Sequence, residues 1–409
     1  MNKLNILNNK IISLLLLFFI LISFSFSPFL TSVYSQEIII EDDESSENDN
    51  NNSWLKGVIF LGTSVLLGYL LEAPSEDLNN KRINEKPLIK EKEISTSERK
   101  VLGFYVNWLT EYADSFQSLN KNNQFIDMIA PFWYTLEPDG TIRSRYGGHQ
   151  PEAVQLARQK DIDIFPLINN NQRNNNILTD PEIRKKAVNS VVNLINSYEY
   201  NGVNIDFENI PPDTREGYVK FIQLLSRKLD PYDRKLTVSV FPKINVPDEL
   251  HKAHDYRAIA PYIDKLVMMT YDHHWPQGPP GPIAPINWVE KNIKYALQHI
   301  PAEKLFLGIA NYGYNWIAEG NTSDLGAQKV YTIAERENIE IKRDKDSLSP
   351  YLKYQDHEGN LREIWFEDSY SLEPKLDLVN KYNLKGIGIW RLGNEKNRFW
   401  KVIAEKLNK

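Results

Sequence analysis

From about residue 99 onward the chain alternates short β-branched or aromatic runs with longer stretches whose apolar residues recur every three or four positions. The short runs are "VLGFYVNW" (101–108), "IDMIAPFWY" (126–134), "IDIFPLINN" (162–170), "GVNIDFEN" (202–209), "LTVSVFPK" (236–243), "KLVMMTYD" (265–272), "KLFLGIANYGY" (304–314) and "GIGIWRLG" (386–393). Between them, 213–230 places Tyr218, Phe221, Ile222, Leu225 and Leu229 on one helical face behind Asp213 as a cap, and 181–200 has the same period. Near-continuous apolar strands separated by amphipathic helices predict a parallel sheet covered by helices. Eight repeats predict an α/β fold of the (β/α)8 TIM-barrel type. The rival is an open doubly wound sheet, but no G-x-G-x-x-G follows the first strand.

The long interval 317–385 exceeds one helix and predicts a small α+β insertion between strands seven and eight. Within it, "YLKYQDHEGNLREIWFED" (351–368) reads as a hairpin turning at His357–Asn360. Such an insertion stands beside the rim, either walling a groove or decorating it.

The first 98 residues have a different texture. Lys3 and Lys10 precede "IISLLLLFFILISFSFSPFL", and no charge follows until Glu37, so residues 1–35 read as a signal peptide cleaved after Ser35 or as a membrane anchor. Residues 36–98 begin with the acidic "EIIIEDDESSENDNNNS" (37–53), which cannot build a core. A second apolar run (54–71) and a mixed-charge linker follow. If the second run spans a membrane, the barrel (99–409) is cytoplasmic; if it lies in the interface, the barrel is exported. The chemistry of the barrel favours export.

Residues 200–209, "YNGVNIDFEN", place Asn204, Asp206 and Glu208 on one face of a strand and Val203, Ile205 and Phe207 on the other. Buried charge without a partner is costly, so this face is wet or its carboxylates have a task. Polar and aromatic residues also gather where the other strands end: Trp108, Trp133, Tyr134, Asn169, Asn170, Lys243, Tyr271, Asp272, Asn311 and Trp390. In barrels that end carries the chemistry. Like charges at i and i+2 raise at least one pKa, leaving a protonated acid beside an ionised partner, as glycosidic cleavage requires.

Composition narrows the alternatives. The chain has 409 residues, a net charge of −6 spread along its length and no cysteine. Nucleic acid is not an expected partner, and disulfides, thiolate nucleophiles and cysteine-based metal sites are excluded. The seven His include the tandem His273 and His274 but no ligand spacing, so neither a metal nor another cofactor is expected. The Pro-Gly-rich "WPQGPPGP" (275–282) is expected to shape the cleft without chemistry of its own.

These motifs resemble glycoside hydrolase family 18, the chitinase-like barrels. "NGVNIDFE" is similar to the family's D-G-x-D-x-D-x-E on strand four, "MMTYD" (268–272) to M-x-Y-D on strand six, and "GIGIW" (386–390) to strand eight; "FYVNW" resembles strand one. "NIDFEN", "MTYD-x-H-W" and "YGY-x-W" resemble most the branch that includes spore-cortex-lytic N-acetylglucosaminidases. The resemblance implies hydrolysis of β-1,4 bonds next to N-acetylglucosamine in a peptidoglycan- or chitin-like polymer. It implies Glu208 as general acid and Asp206 and Tyr271 as the groups that orient the substrate's acetamido nucleophile. Trp390 would floor the sugar, Tyr105, Met269 and Asp272 would shape the subsite, and Trp133 at the rim and Asn204 behind Asp206 complete the expected binding set. The sequence departs from the family pattern at Asn201 and Asn204, where the signature has Asp; Asn204 is expected to donate to Asp206 and shift the pH profile. The competing function is a membrane-tethered, non-catalytic lectin that binds acetamido sugars.

Overall fold

The computed structural model describes residues 98–107, 114–170, 175–317, 322–395 and 397–409. The two N-terminal apolar runs and Trp108 lie outside the described residues. Among the described residues, no helix is long and apolar enough to cross a membrane.

Eight parallel strands form the barrel: β1 (Lys100–Tyr105), β2 (Met128–Leu136), β3 (Leu167–Asn170), β4 (Gly202–Asp206), β5 (Lys235–Val240), β6 (Lys265–Met268), β7 (Leu305–Ala310) and β8 (Gly386–Trp390). Each pairs with the next in sequence, β8 pairs with β1, and the sheet closes on itself. The predicted third strand is broken. Asp163–Ile164 pairs with the start of β2, Phe165 and Pro166 interrupt, and pairing resumes at Leu167. Pro166 has no N–H to give the ladder.

The barrel interior is packed by Leu102, Phe104, Met128, Ala130, Phe165, Leu167, Val267 and Phe306, with Phe132 and Trp390 resting on them. The opposite strand faces, including Val203, Ile205 and Phe207, meet the surrounding helices in a second, larger core. Helix Pro181–Ser197 begins with Asp180, whose carboxylate accepts the N–H groups of Glu182 and Ile183, and turns Ala187, Val188, Val191, Val192 and Ile195 inward. Helix Arg215–Leu229 buries the five predicted residues, but Asp213 does not cap it. A 3-10 turn, Pro212–Thr214, leads directly into the helix and places Asp213 inside that turn.

The run read as strand seven divides at Asn311. β7 stops at Ala310, and Tyr312–Ile317 joins a separate antiparallel sheet with Ser323–Gly326, Leu361–Phe366, Pro350–Gln355 and Lys342–Arg343. Asn311 makes the division, because its buried side chain accepts the Arg391 N–H at 2.9 Å and donates to the Arg391 carbonyl at 2.7 Å. The expected hairpin is present, with Gln355 opposite Leu361 and Gly359 at φ 86° in the connecting turn. Helix Ala327–Glu337 completes the α+β insertion.

Candidate active site

β4 delivers the acidic pair. Asn204 and Asp206 are buried on its inner face, while Glu208 lies two residues past the strand end and is half-buried. The backbone ladder between β3 and β4 ends at the pair Asn169 and Asp206. Beyond that pair a side chain continues the ladder. The Glu208 N–H donates to Asn170 Oδ1 at 2.9 Å, and Asn170 Nδ2 donates to the Glu208 carbonyl at 2.9 Å. Asn170 thus fixes the main chain of Glu208 at both of its polar groups, where strand pairing no longer can.

Beneath the acids, the Asn204 amide is fully buried and engaged with β5: its Nδ2 donates to Ser239 Oγ at 3.0 Å, and the Ser239 hydroxyl lies 3.1 Å from Asn204 Oδ1. The expected donation from Asn204 to Asp206 is therefore absent; Ser239 is the partner. Asp206, 7% exposed, keeps a buried Oδ1 with no hydrogen-bond partner. Burial pushes its carboxyl up to about 7. Glu208 is likewise raised well above its ordinary range, first by burial and then by the charges of Asp206 and Asp272. Two adjacent carboxyls raised in this way favour keeping one proton between them, the arrangement a general acid beside an ionised partner needs.

β6 brings the third group. Burial, followed by the charges of Asp206, Asp272 and Glu208, raises the Tyr271 phenol, so this hydroxyl shares the field of all three carboxyls and stays protonated. Gly308 on β7 makes room for it: a Cβ there would stand 2.4 Å from the Met268 carbonyl and 3.0 Å from the Tyr271 ring. Met269 is buried at the same place, 6% exposed. Asp272, exposed at the mouth with φ 56°, accepts the hydroxyls of Tyr312 at 2.5 Å and Tyr314 at 2.8 Å. Both tyrosines belong to the insertion, which is thereby bonded to the site. Tyr312, Tyr314, Trp316 and Trp365 form one buried aromatic cluster against which Tyr271 and Trp390 pack. The i, i+2 spacing of "YGY" was visible in the sequence; its bond to Asp272 was not.

Trp390 lies half-buried at the end of β8, edge-on to Phe104 at 5.4 Å between ring centres. It offers an apolar floor above the packed interior. The structure does not bring Tyr105 and Trp133 to this floor. Along β1 and β2 the inner residues are Leu102, Phe104, Met128, Ala130 and Phe132, so the neighbouring Tyr105 and Trp133 point to the helix layer. There they are 2% and 0% exposed, edge-on to one another at 6.0 Å, with the Tyr105 hydroxyl donating to Gln150 at 2.6 Å. Both are corrected from sugar contacts to core residues.

The tandem histidines belong to the loop after β6. His273 packs on Trp288 at 4.7 Å with burial pushing its imidazole down to about 4, and His274 lies 3.0 Å from the Pro282 carbonyl. The Pro-Gly loop is tied to the insertion by Trp316 Nε1, which donates to the Gly278 carbonyl at 3.1 Å, leaving Trp275 47% exposed. No group of three or more His, Asp or Glu that could hold a metal ion occurs among the described residues.

Comparison with known proteins agrees with this fold. The chain is 28% identical over 321 residues to a glycosylase of Bacillus subtilis named YvbX, covering 75% of this chain and 92% of that one. It is 30% identical over 239 residues to the cortical fragment-lytic enzyme of the same organism, covering 57% of this chain and 56% of that protein, so the match spans little more than half of that relative. The crystal structure of the Bacillus cereus spore cortex-lytic enzyme SleL superposes with a TM-score of 0.69 at 26% identity, covering 76% of this chain and 75% of that one. Residues 100–395, nearly the whole barrel with its insertion, match the model for glycosyl hydrolases family 18. A closed eight-stranded barrel that matches this family over nearly its whole length has one reading: this chain is a glycosidase and belongs to glycosyl hydrolase family 18.

Proposed function

We propose that the chain hydrolyses β-1,4 bonds next to N-acetylglucosamine in a peptidoglycan-type glycan, with the substrate's own acetamido oxygen as nucleophile. The observation that carries this reading is the buried Asp206 Oδ1, a strong acceptor without a donor, beside a carboxyl that holds its proton. An acetamido N–H is the missing donor. Asp206 would orient that group while its carbonyl oxygen attacks C1 and closes an oxazolinium ring. Glu208 gives its proton to the departing glycosidic oxygen as the C1–O bond breaks; as carboxylate, it then takes a proton from the incoming water, and the configuration is retained. Tyr271 would steady the acetamido oxygen with its hydroxyl, and Trp390 would floor the sugar. The cortex-lytic names of the relatives support a wall polymer. A wall substrate in turn requires an exported barrel, tethered or released by the N-terminal segments.

The test is release from fluorogenic N-acetylglucosamine mono-, di- and trisaccharides by the full chain and by Glu208→Gln. General acid–base catalysis contributes about 10²–10⁴-fold, and a loss of that size is expected in the variant with binding retained. Equal rates in the two proteins, or binding with no product from the wild type, would overturn the proposal.

A further inference from the structure

Arg145 follows a short strand, Ile142–Ser144, that folds back on the end of β2. Its main chain is fixed, the N–H donating to the Trp133 carbonyl at 2.7 Å and the carbonyl accepting from Gly148 at 2.7 Å. The guanidinium carbon lies 4.5 Å from the centre of the Phe132 ring, and Phe132 in turn packs on Trp390 at 6.5 Å. On the other side, Arg145 Nη1 donates to Thr135 Oγ1 at 3.2 Å, Thr135 donates to Asn169 Oδ1 at 2.7 Å, and Asn169 is the register partner of Asp206. The cation therefore stands one ring from the sugar floor and one hydrogen-bonded pair from the acid site.

All the groups it touches are neutral. Besides Thr135 they are the Phe132 face, the Tyr146 ring at 5.3 Å and the Tyr146 hydroxyl at 3.5 Å; Nε is buried without a partner. Among the described residues it has no carboxylate partner. Other cations nearby are already engaged: Arg391 lies in the fields of Asp324 and Glu395, and Lys243 donates to the His251 carbonyl above the Tyr256 ring. A half-buried guanidinium that keeps a second N–H on each of Nη1 and Nη2 is a receptor for a planar anion, carboxylate above all. The cleft itself needs one if its substrate is acidic, because the charges of Asp206 and Asp272 repel a negative group.

We infer that Arg145 is a specificity-determining residue that binds a carboxylate substituent carried by the glycan, on or beside the sugar above Trp390. The substrate class is an N-acetylhexosamine polymer with ether-linked carboxylates, such as the lactyl groups of N-acetylmuramic acid, and not a neutral chitin-like chain. The inference rests on the proposed function, whose substrate it narrows.

The experiment measures kcat and KM of the full chain, Arg145→Gln and Arg145→Lys on three tetrasaccharides. These are alternating N-acetylglucosamine and N-acetylmuramic acid with free carboxyls, the same compound amidated, and neutral chitotetraose. Arg145→Gln is expected to lower kcat/KM on the free acid about 10- to 100-fold more than on the other two, mostly through KM, the scale of a charge-assisted bidentate contact. Arg145→Lys should recover part of that loss, and raised salt should weaken the wild type's preference for the acid. A change of equal size on all three substrates would assign Arg145 a packing role and overturn the inference, as would wild-type indifference to amidation. No turnover of any substrate by the wild type would overturn the proposed function itself, a distinguishable outcome.

Discussion

Replacing Asp206 by Asn should make the protein more stable at high pH and less active at every pH. In the folded chain the Asp206 carboxyl titrates near 7 against an ordinary value of 3.8, because burial penalises its charged form. The folded state therefore holds a proton that the unfolded chain has lost, and stability falls as pH rises from about 4 to about 7, where the penalty is complete. Each pH unit in that window is worth about 1.36 kcal/mol, so the penalty grows by roughly 2–3 kcal/mol between pH 5 and pH 8. The substitution removes this term, and it also removes a charge that helps raise Glu208, a relief of the same sign. The introduced amide brings a cost of its own, two donors with no acceptor in place, but that cost does not change with pH. The assay is chemical denaturation of both proteins at pH 5 and pH 8, and the quantity read is the difference between the two stability gains. A gain that is equal at both pH values, or larger at pH 5, would refute the reasoning and show that Asp206 ionises at little cost.

Two further predictions concern the supports of the acid pair. Asn170→Ala leaves both polar groups of the Glu208 main chain without their partner, and kcat should fall about 10- to 100-fold with KM little changed, as expected when a positioned group loosens; an unchanged kcat would show that Glu208 is held by other means. Asn204→Asp places a third carboxyl under the pair with only the Ser239 hydroxyl to receive it, and its charge should move the alkaline limb of the kcat/KM profile to higher pH; a superimposable profile would remove Asn204 from the proton balance.

How much of this could be read from the chain depends on the kind of information involved. The strands of β1 to β8 announced themselves as apolar runs, and the face bearing Asn204, Asp206 and Glu208 stood out because it is polar where its neighbours are not. Tyr105 and Trp133 were misplaced for the converse reason. Strands of a helix-covered parallel barrel are apolar on both faces, so hydrophobicity does not say which aromatic looks inward. In β2 a register shift between Phe132 and Tyr134 adds a further irregularity that no local pattern announces. Asn170 was visible at a strand end, but its pairing with Glu208 spans 38 residues and exists only once β3 and β4 are neighbours. The division at Asn311 has the same origin, since the side chain that ends β7 is satisfied 80 residues away.

The insertion gives the site a property that the barrel alone lacks. Asp272 is exposed at the mouth, yet two tyrosine hydroxyls from the insertion hold one of its oxygens. Its charge is one of the causes that keep Glu208 protonated and one of those acting on Tyr271. The aromatic cluster around Tyr312 and Tyr314 also supports Tyr271 and Trp390 by direct packing. The insertion is thus more than a wall beside the groove, because it sets the position of a charge that bears on the acid and the phenol alike. Barrel strands supply Asp206 and lead directly into Glu208 and Tyr271 just past their ends, while a segment of separate fold, joined at Asn311, fixes the electrostatic neighbour that tunes them. Changes within the Tyr312–Ile317 strand would therefore reach the proton balance of Glu208 without altering a single barrel residue.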